Sequence, residues 1–178
     1  MARLFVALRL PPDIARRLET IPRPSQDGVH YTSPENWHIT LRFLGEENPT
    51  RVAQALSGLQ SRSLRVKLGP VLSPLGVRVV VVPAAGLEGL AAEIAKLTAD
   101  LGSHPVGERF IGHVTLARVR RGCESPAAIG MPFDAEFDVT EVELVESHFD
   151  DGGVRYETVG AWRIGEGDAL EDCVTAPH

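Results

Sequence analysis

The chain has 178 residues, of which 43% are hydrophobic, and this length and composition suit one domain with its own core. The formal net charge of −6 argues against a protein that binds long nucleic acid through many phosphates, because that mode of binding needs a basic surface. The two cysteines, Cys123 and Cys173, lie far apart and outside any C-x-x-C pattern, which favours a reducing cytoplasm over a disulfide scaffold or a zinc site.

The longest apolar run, "GVRVVVVPAAGL", is interrupted by Arg78 and Pro83 and is far shorter than the ~20 residues that a membrane helix needs. In the opening stretch "MARLFVALRLPPD", a short apolar run is followed by proline and acidic residues without a small-residue cleavage site, which is not the pattern of a signal peptide. We therefore expect no membrane segment and a cytoplasmic protein.

The first half of the chain predicts a strand, a helix and a second strand, followed by a short helix. "RLFVALRL" alternates as a strand does, and the "PPD" after it opens a helix whose apolar residues share one face. Residues 22–36 are rich in Pro, Ser, Gly and Asp and predict a loop. After the strand-like "NWHITLRFLG", the stretch "NPTRVAQALSGL" predicts the short helix.

The second half repeats strands around one clear helix. "LRVKLGPVL" and "VRVVVV" predict neighbouring strands, and the helix is predicted from Leu87 to Leu101 by its apolar spacing. After the strand-like "GHVTLARVR" come "FDAEFDV", "EVELVESHF" and "VRYETVGAWRI", which predict an antiparallel meander whose last two strands join at "DDGG".

The pattern His-x-Thr occurs in both halves, at His38 and again 75 positions later at His113. Side chains alternate along a strand, so His38 and Thr40 share one face, about 6 to 7 Å apart, and His113 and Thr115 do the same. The apolar residues of opposite parity predict the core side of each strand: Trp37, Ile39, Leu41 and Phe43 in the first, Val114 and Leu116 in the second.

Each half thus contains a strand, a helix and a His-x-Thr strand, which is a weak internal duplication. No stretch of linker composition separates the halves. We therefore expect two lobes that pack together with a cleft between them. This forms a single domain over residues 1–164, and residues 165–178 are predicted to be a loose tail.

Two imidazoles and two hydroxyls in one cleft form a symmetric acid-base site. Histidine can be a neutral base in one copy and a charged acid in the other near neutral pH. In-line displacement at phosphorus needs both roles, one to deprotonate the nucleophile and one to protonate the leaving oxygen. Threonine hydroxyls can bind the non-bridging phosphate oxygens, and an arginine can neutralise the developing charge.

Other interpretations stay open on the residues alone. A lone His-x-Thr occurs often by chance, and a metal site would need a third ligand, which neither copy has at ligand spacing. Strand parity places Arg118 on the face opposite His113, although a bulge or its own reach could bring it to the cleft. Arg42 has the parity of His38 but is equally well explained by solvation. The other histidines are best explained as solvated surface residues: His30, His104, His148 and His178.

Four blocks of the sequence resemble the RNA 2′,3′-cyclic phosphodiesterases of the two-histidine (2H) phosphoesterase superfamily, which were first described as 2′-5′ RNA ligases. The blocks are "RLFVAL", "SPENWHITLRFLGE", "ERFIGHVTLARVR" and "VELVESHFDDGGVRYETVGAWRI", and they extend over the chain to about Ile164. The sequence departs from the family at Gly112, where the family usually has proline before the second histidine.

The resemblance implies an α+β fold with two pseudo-symmetric lobes, whose antiparallel sheets are flanked by helices and surround a central cleft. It also implies hydrolysis of a terminal 2′,3′-cyclic phosphate to a 2′-phosphate, with no metal and no other cofactor. By position it implies that His38 and His113 are the catalytic pair, with His38 as the acid and His113 as the base. It further implies that phosphate is bound by three side chains: Thr40, Thr115 and Arg118.

The resemblance also implies that Phe5 stacks on a base of the substrate, although a core position in the first strand explains Phe5 nearly as well. We expect a monomer whose partners are RNA 3′ ends or nucleotides with a 2′,3′-cyclic phosphate. Two other functions stay open: a 2′-5′ ligase that joins RNA ends in the reverse reaction, and a non-catalytic module that binds nucleotide ends.

Overall fold

The computed structural model describes residues 2–104, 109–150 and 153–165. Within these ranges the helices are α1 (Pro12–Glu19), α2 (Pro49–Leu56) and α3 (Glu88–Leu97). The strands are β1 (Ala2–Arg9), β2 (Val29–Tyr31), β3 (His38–Glu47), β4 (Leu64–Leu68), β5 (Ser73–Leu75), β6 (Val79–Ala85), β7 (His113–Val119), β8 (Ala135–Val139), β9 (Glu141–Asp150) and β10 (Gly153–Arg163).

The three helices confirm the predicted ones, and α1 and α2 begin where local chemistry favours a helix. α1 begins at a proline, whose fixed φ suits the first helical position, and it buries Ile14 and Leu18. α2 follows Asn48, whose side-chain oxygen accepts a hydrogen bond from the Thr50 N–H at 2.9 Å. α3 ends at Leu97, one turn before the predicted end. No helix in the described part of the chain is long and apolar enough to cross a bilayer.

Hydrogen bonds join eight strands in the order β10-β9-β1-β3-β7-β6-β4-β8, while β2 pairs with β7 and β5 with β6. Each of these pairings is antiparallel. We call β10, β9, β1 and β3 the first lobe, and β7, β6, β4 and β8 the second lobe. They meet where Ile39 of β3 lies opposite Val114 of β7. The two His-x-Thr strands are therefore the innermost strands, which confirms the predicted α+β fold with two antiparallel lobes.

One large hydrophobic core lies under both lobes, since Leu4 of β1 and Val82 of β6 belong to the same buried cluster. Helices α3 and α1 link the two lobes. α3 precedes β7 of the second lobe in the chain, yet it contacts β3 of the first. The Arg17 guanidinium of α1 lies 5.7 Å from the centre of the Phe133 ring, just before β8 of the second lobe. The lobes therefore share their packing and position both inner strands together.

The predicted meander is wrong for its first strand. β8 pairs with β4 at the outer edge of the second lobe, whereas β9 and β10 form the predicted hairpin at the edge of the first. Thr140 is the single residue between β8 and β9, so the chain passes from one lobe to the other there. Alternation along a strand indicates its buried face but not its neighbour, which is why the sequence pattern could not reveal this crossing. The predicted loop over 22–36 contains the short strand β2, and residues 166–178 of the predicted tail lie outside the described residues.

Candidate active site

A cleft of about 450 Å³ opens where the two lobes meet. The structure brings both sequence motifs to its surface, since His38 and Thr40 line it from β3 and His113 and Thr115 line it from β7. Residues 75 positions apart in the chain therefore line a single cleft.

Both histidine rings are held by the same local hydrogen bond. Nδ1 of His38 lies 2.7 Å from the carbonyl oxygen of Asn36, and Nδ1 of His113 lies 2.7 Å from that of Ile111, in each case two residues earlier in the chain. A carbonyl oxygen can only accept, so Nδ1 carries the hydrogen in both rings. Nε2 of each imidazole is then the atom available for proton exchange.

The His38 ring belongs to an aromatic cluster with Phe5 and Tyr156. Its centre lies 4.9 Å from that of Phe5 and 5.1 Å from that of Tyr156, and the latter two are 5.1 Å apart. His38 is on β3 and Tyr156 on β10, three strand spacings away, or about 14 Å across a flat sheet. The contact between them therefore requires a strongly curled sheet. Within this cluster the Phe5 side chain is only 4% exposed.

Burial lowers the pKa of His38, because desolvation disfavours the charged imidazolium. The hydrogen bond to the Asn36 carbonyl acts in the opposite direction, but the positive charges of Arg9, His113 and Arg118 lower this pKa further. The free protein thus favours the neutral form of His38.

A β-bulge brings Arg118 to the cleft. The register of β7 against β6 skips Leu116, and an extra residue in one strand reverses the alternation of side chains beyond it. Arg118 consequently lines the same cleft as His113, although strand parity alone places it on the opposite face. Within the described ranges its guanidinium has no hydrogen-bond or ion-pair partner, and the residue lines the cleft.

The same irregularity occurs in β3, where the register against β1 skips Leu41 and, further on, Leu44. Phe43 therefore lines the cleft and packs with Phe5, and its predicted position on the core side is wrong. Arg42 is not among the residues that line the cleft; its Nη2 instead donates to the His104 carbonyl at 2.8 Å. Phe43 and Arg118 are each five positions after their motif histidine, so the two bulges place an aromatic ring and a guanidinium at equivalent points of the two lobes.

Several side chains that line the cleft were not predicted from the sequence. The Arg3 guanidinium carbon lies 5.3 Å from the centre of the Phe43 ring and 5.2 Å from that of Phe149. Alternation along β9 and β10 could have placed Phe149 and Tyr156 on one face, but only the sheet order reveals that this face is the wall of the cleft. The further lining residues are Thr32, Asn36, Ser147 and Val154.

No cluster of three or more His, Cys, Asp or Glu side chains within the described ranges is arranged to hold a metal ion. The polar groups that line the cleft with the two histidines include the Thr40 and Thr115 hydroxyls and the Arg118 guanidinium. These are hydrogen-bond donors of the kind that bind phosphate oxygens.

Comparison with known proteins agrees with this geometry. Residues 8–70 match the family described as LigT like Phosphoesterase. The RNA 2′,3′-cyclic phosphodiesterase of Archaeoglobus fulgidus is 30% identical over 145 residues, which cover 75% of this chain and 82% of that protein. The protein of the same name from Aeropyrum pernix is 28% identical over 141 residues, 70% of this chain and 80% of that one. The crystal structure of E. coli LigT complexed with 3′-AMP has a TM-score of 0.74 and 26% identity, over 92% of this chain and 98% of that chain. The chain therefore belongs to the LigT-like phosphoesterases of the two-histidine superfamily.

Proposed function

We propose that this protein hydrolyses the 2′,3′-cyclic phosphate ends of RNA or of nucleotides to 2′-phosphates. The proposal is supported by the relatives named RNA 2′,3′-cyclic phosphodiesterase. The observation that carries it is the pair of histidines in one cleft, each anchored through Nδ1 and each followed two residues later by a threonine.

Hydrolysis forms one bond to phosphorus and breaks another. The oxygen of a water molecule attacks phosphorus while Nε2 of one histidine takes the water proton. The P–O3′ bond breaks, and Nε2 of the other histidine gives its proton to O3′. The phosphate stays on O2′, the two imidazoles have exchanged protonation states, and solvent resets them. Because Nδ1 donates a hydrogen bond to a carbonyl oxygen in both rings, Nε2 remains available for these proton transfers.

The phosphate oxygens that do not leave need donors as charge develops on them. We assign Thr40 and Thr115 to these oxygens, because each hydroxyl is on the cleft face of its strand beside a histidine. Arg118 adds a charge-assisted hydrogen bond, which is shorter and stronger than a hydrogen bond between neutral groups.

The resemblance assigns the acid role to His38 and the base role to His113, and we keep this assignment as part of the proposal. The lowered pKa of His38 in the free protein opposes it, because an acid must be protonated before it reacts. A phosphate anion bound in the cleft acts in the other direction, since a negative charge favours the imidazolium. The assignment therefore requires the substrate to raise the pKa of His38.

We also propose that the reaction needs no metal ion, because hydroxyl and guanidinium donors can meet the phosphate charge. Exhaustive chelation with EDTA should leave turnover unchanged. Loss of activity with EDTA, followed by recovery with one added divalent ion, would overturn this part of the proposal.

The decisive assay supplies a 2′,3′-cyclic nucleotide and separates the 2′- and 3′-phosphate products. We expect the 2′-phosphate. A ligase would instead join RNA pieces with cyclic-phosphate and 5′-hydroxyl ends into longer products, and a binding module would bind the cyclic nucleotide without turnover. Sole production of the 3′-phosphate would show that O2′ leaves and would exclude the proposed regiochemistry.

The proposed partners are RNA 3′ ends or nucleotides with a cyclic phosphate, bound by a monomer in the reducing cytoplasm. The use of cysteine supports the location, since Cys123 is a free thiol in the described part of the chain. Light scattering after size-exclusion chromatography tests the monomer, and a mass of two chains would reject it.

A further inference from the structure

We propose that Phe149 and Arg3 form a stacking site for the nucleobase that precedes the cyclic end of an RNA substrate. The inference rests on the proposed function, because it names where a longer substrate lies in the same cleft. Both side chains line that cleft from adjacent strands, Arg3 from β1 and Phe149 from β9.

The two side chains lie against each other, and both are exposed. The Arg3 guanidinium carbon lies 5.2 Å from the centre of the Phe149 ring and 5.3 Å from that of Phe43, so the cation is held between two aromatic rings. Phe149 is 63% exposed, which is unusual for a phenylalanine on a strand that faces a cleft. An exposed ring beside a planar guanidinium is the combination on which single-stranded bases stack.

Phe5 cannot offer the same surface in this structure. Its side chain is 4% exposed because the rings of His38 and Tyr156 cover it. Phe149 is therefore the aromatic ring of the cleft with the most surface available for a base.

The distance of this site from His38 determines which nucleotide of the substrate supplies the stacked base. Phe5 and Tyr156 touch the His38 ring and form an inner layer next to the reacting phosphate. Arg3 is two residues beyond Phe5 along β1, about 7 Å farther out, and Phe149 lies against it. The nucleoside that carries the cyclic phosphate occupies the inner layer, so the outer layer receives the base of the nucleotide before it.

The kinetic test compares a 2′,3′-cyclic mononucleotide with a trinucleotide that has the same cyclic end. We expect the wild-type protein to prefer the trinucleotide in kcat/KM, and Phe149→Ala to reduce that preference by about 5- to 160-fold, the usual effect of losing one base stack. Phe149→Trp should keep the preference, because it keeps a stacking face. Arg3→Ala should reduce it, and Arg3→Lys should not restore it, since an ammonium retains the charge but not the flat surface.

The matched control is Val77→Ala, which removes a 90% exposed apolar side chain outside the cleft and should leave the preference intact. Equal losses on both substrates with Phe149→Ala would overturn the proposal in favour of a site for the terminal base. No loss on either substrate would overturn the proposal altogether. Full activity of Arg3→Lys on the trinucleotide would overturn the role given to Arg3.

A binding measurement separates this inference from the proposed function. The probe is a trinucleotide with 2-aminopurine in the middle and a 2′-phosphate end, which needs no turnover. Stacking should quench its fluorescence with the wild-type protein and with Phe149→Trp but not with Phe149→Ala. If the wild type fails to hydrolyse the cyclic mononucleotide yet quenches the probe, the proposed reaction is wrong and the stacking site stands. If it hydrolyses the mononucleotide but does not quench the probe, the reaction stands and the stacking site is wrong.

Discussion

His38 and His113 are held by the same hydrogen bond but have different neighbours. The His38 ring packs against Phe5 and Tyr156, whereas His113 follows Ile111, whose side chain is exposed. The two imidazoles thus share one kind of anchor but lie in different surroundings.

Removing either imidazole should stop the reaction. We expect His38→Ala and His113→Ala each to lower kcat by at least ~100-fold, the usual scale for loss of general acid-base help, while the melting temperature shows a folded protein. His148→Ala is the control, because its Nε2 lies 3.8 Å from a carboxylate oxygen of Glu146 and 3.5 Å from one of Glu157, and the residue does not line the cleft. Near-normal turnover by either cleft variant would reject the two-histidine mechanism.

The pKa of His38 should move when product binds. NMR titration of the free protein should place this pKa below the ordinary value for histidine, because burial disfavours the imidazolium. If His38 is the acid, kcat/KM falls as pH rises through this lowered pKa. Saturation with a nucleoside 2′-phosphate should raise the pKa, since the phosphate charge favours the protonated ring. A pKa of His38 that stays low in the complex would exchange the two roles.

A nitrophenyl phosphodiester checks the same assignment by rate, because its leaving group needs no proton. Relative to wild type on that substrate, His38→Ala should recover much of its lost rate and His113→Ala should remain inactive. The reverse pattern would make His113 the acid, and equal losses would mean that both histidines chiefly bind phosphate.

At the scale of secondary-structure elements, the motif strands and the helices could be predicted from the sequence, but the bulges of β3 and β7 could not. Both motif strands and all three helices follow from local periodicity, which needs no knowledge of distant neighbours. An extra residue at Leu41 or Leu116 depends on pairing with another strand, so alternation alone placed Phe43 in the core and Arg118 outside the cleft. The resemblance placed Arg118 in the site because it carries information from other folded chains. Local sequence patterns likewise could not predict that β8 pairs with β4.

The segment that leads into β7 should tolerate no side chain at Gly112. A Cβ atom there would lie 2.4 Å from the carbonyl oxygen of Ala84, and the Ala84 N–H in turn bonds to the Gly112 carbonyl at 2.8 Å. Gly112→Ala should therefore destabilise the fold by about 1 to 3 kcal/mol, the usual cost of overpacking, and displace the Ile111 carbonyl that orients His113. The measurement is thermal unfolding together with turnover.

Gly89→Ala is the matched control for this substitution. Gly89 is in α3, and a Cβ there meets no atom within 4 Å. The change should stabilise the protein by about 0.4 to 1 kcal/mol through the unfolded state. Equal stability of Gly112→Ala and wild type would mean that β6 and the segment before β7 can separate without cost. Proline, the usual residue of the family at this position, adds the same Cβ, so the close approach of Ala84 accounts for glycine in this chain.

For the whole molecule, the net charge of −6 predicts a weak dependence on salt. A single strand releases counterions in proportion to the phosphates that the protein neutralises, with a slope of about −0.7 per phosphate in a log–log plot. If only the cyclic end and one further phosphate are held, the slope of kcat/KM against salt should be about −1.4. It should not change when the RNA is lengthened; a slope that steepens with RNA length would reveal an extended binding surface.

The position of β1 between β3 and β9 makes activity depend on two strands that are synthesised after both motifs. The ribosome releases β9 and β10 after both His-x-Thr motifs, yet these two strands complete the first lobe and supply Tyr156 beside His38. Until they emerge, β1 has one unpaired edge, and closing the long loop between β1 and β9 is a slow, non-local step. A nascent chain can thus contain every residue of both motifs and still lack the wall of the cleft, so we expect turnover only after the C-terminal hairpin has docked.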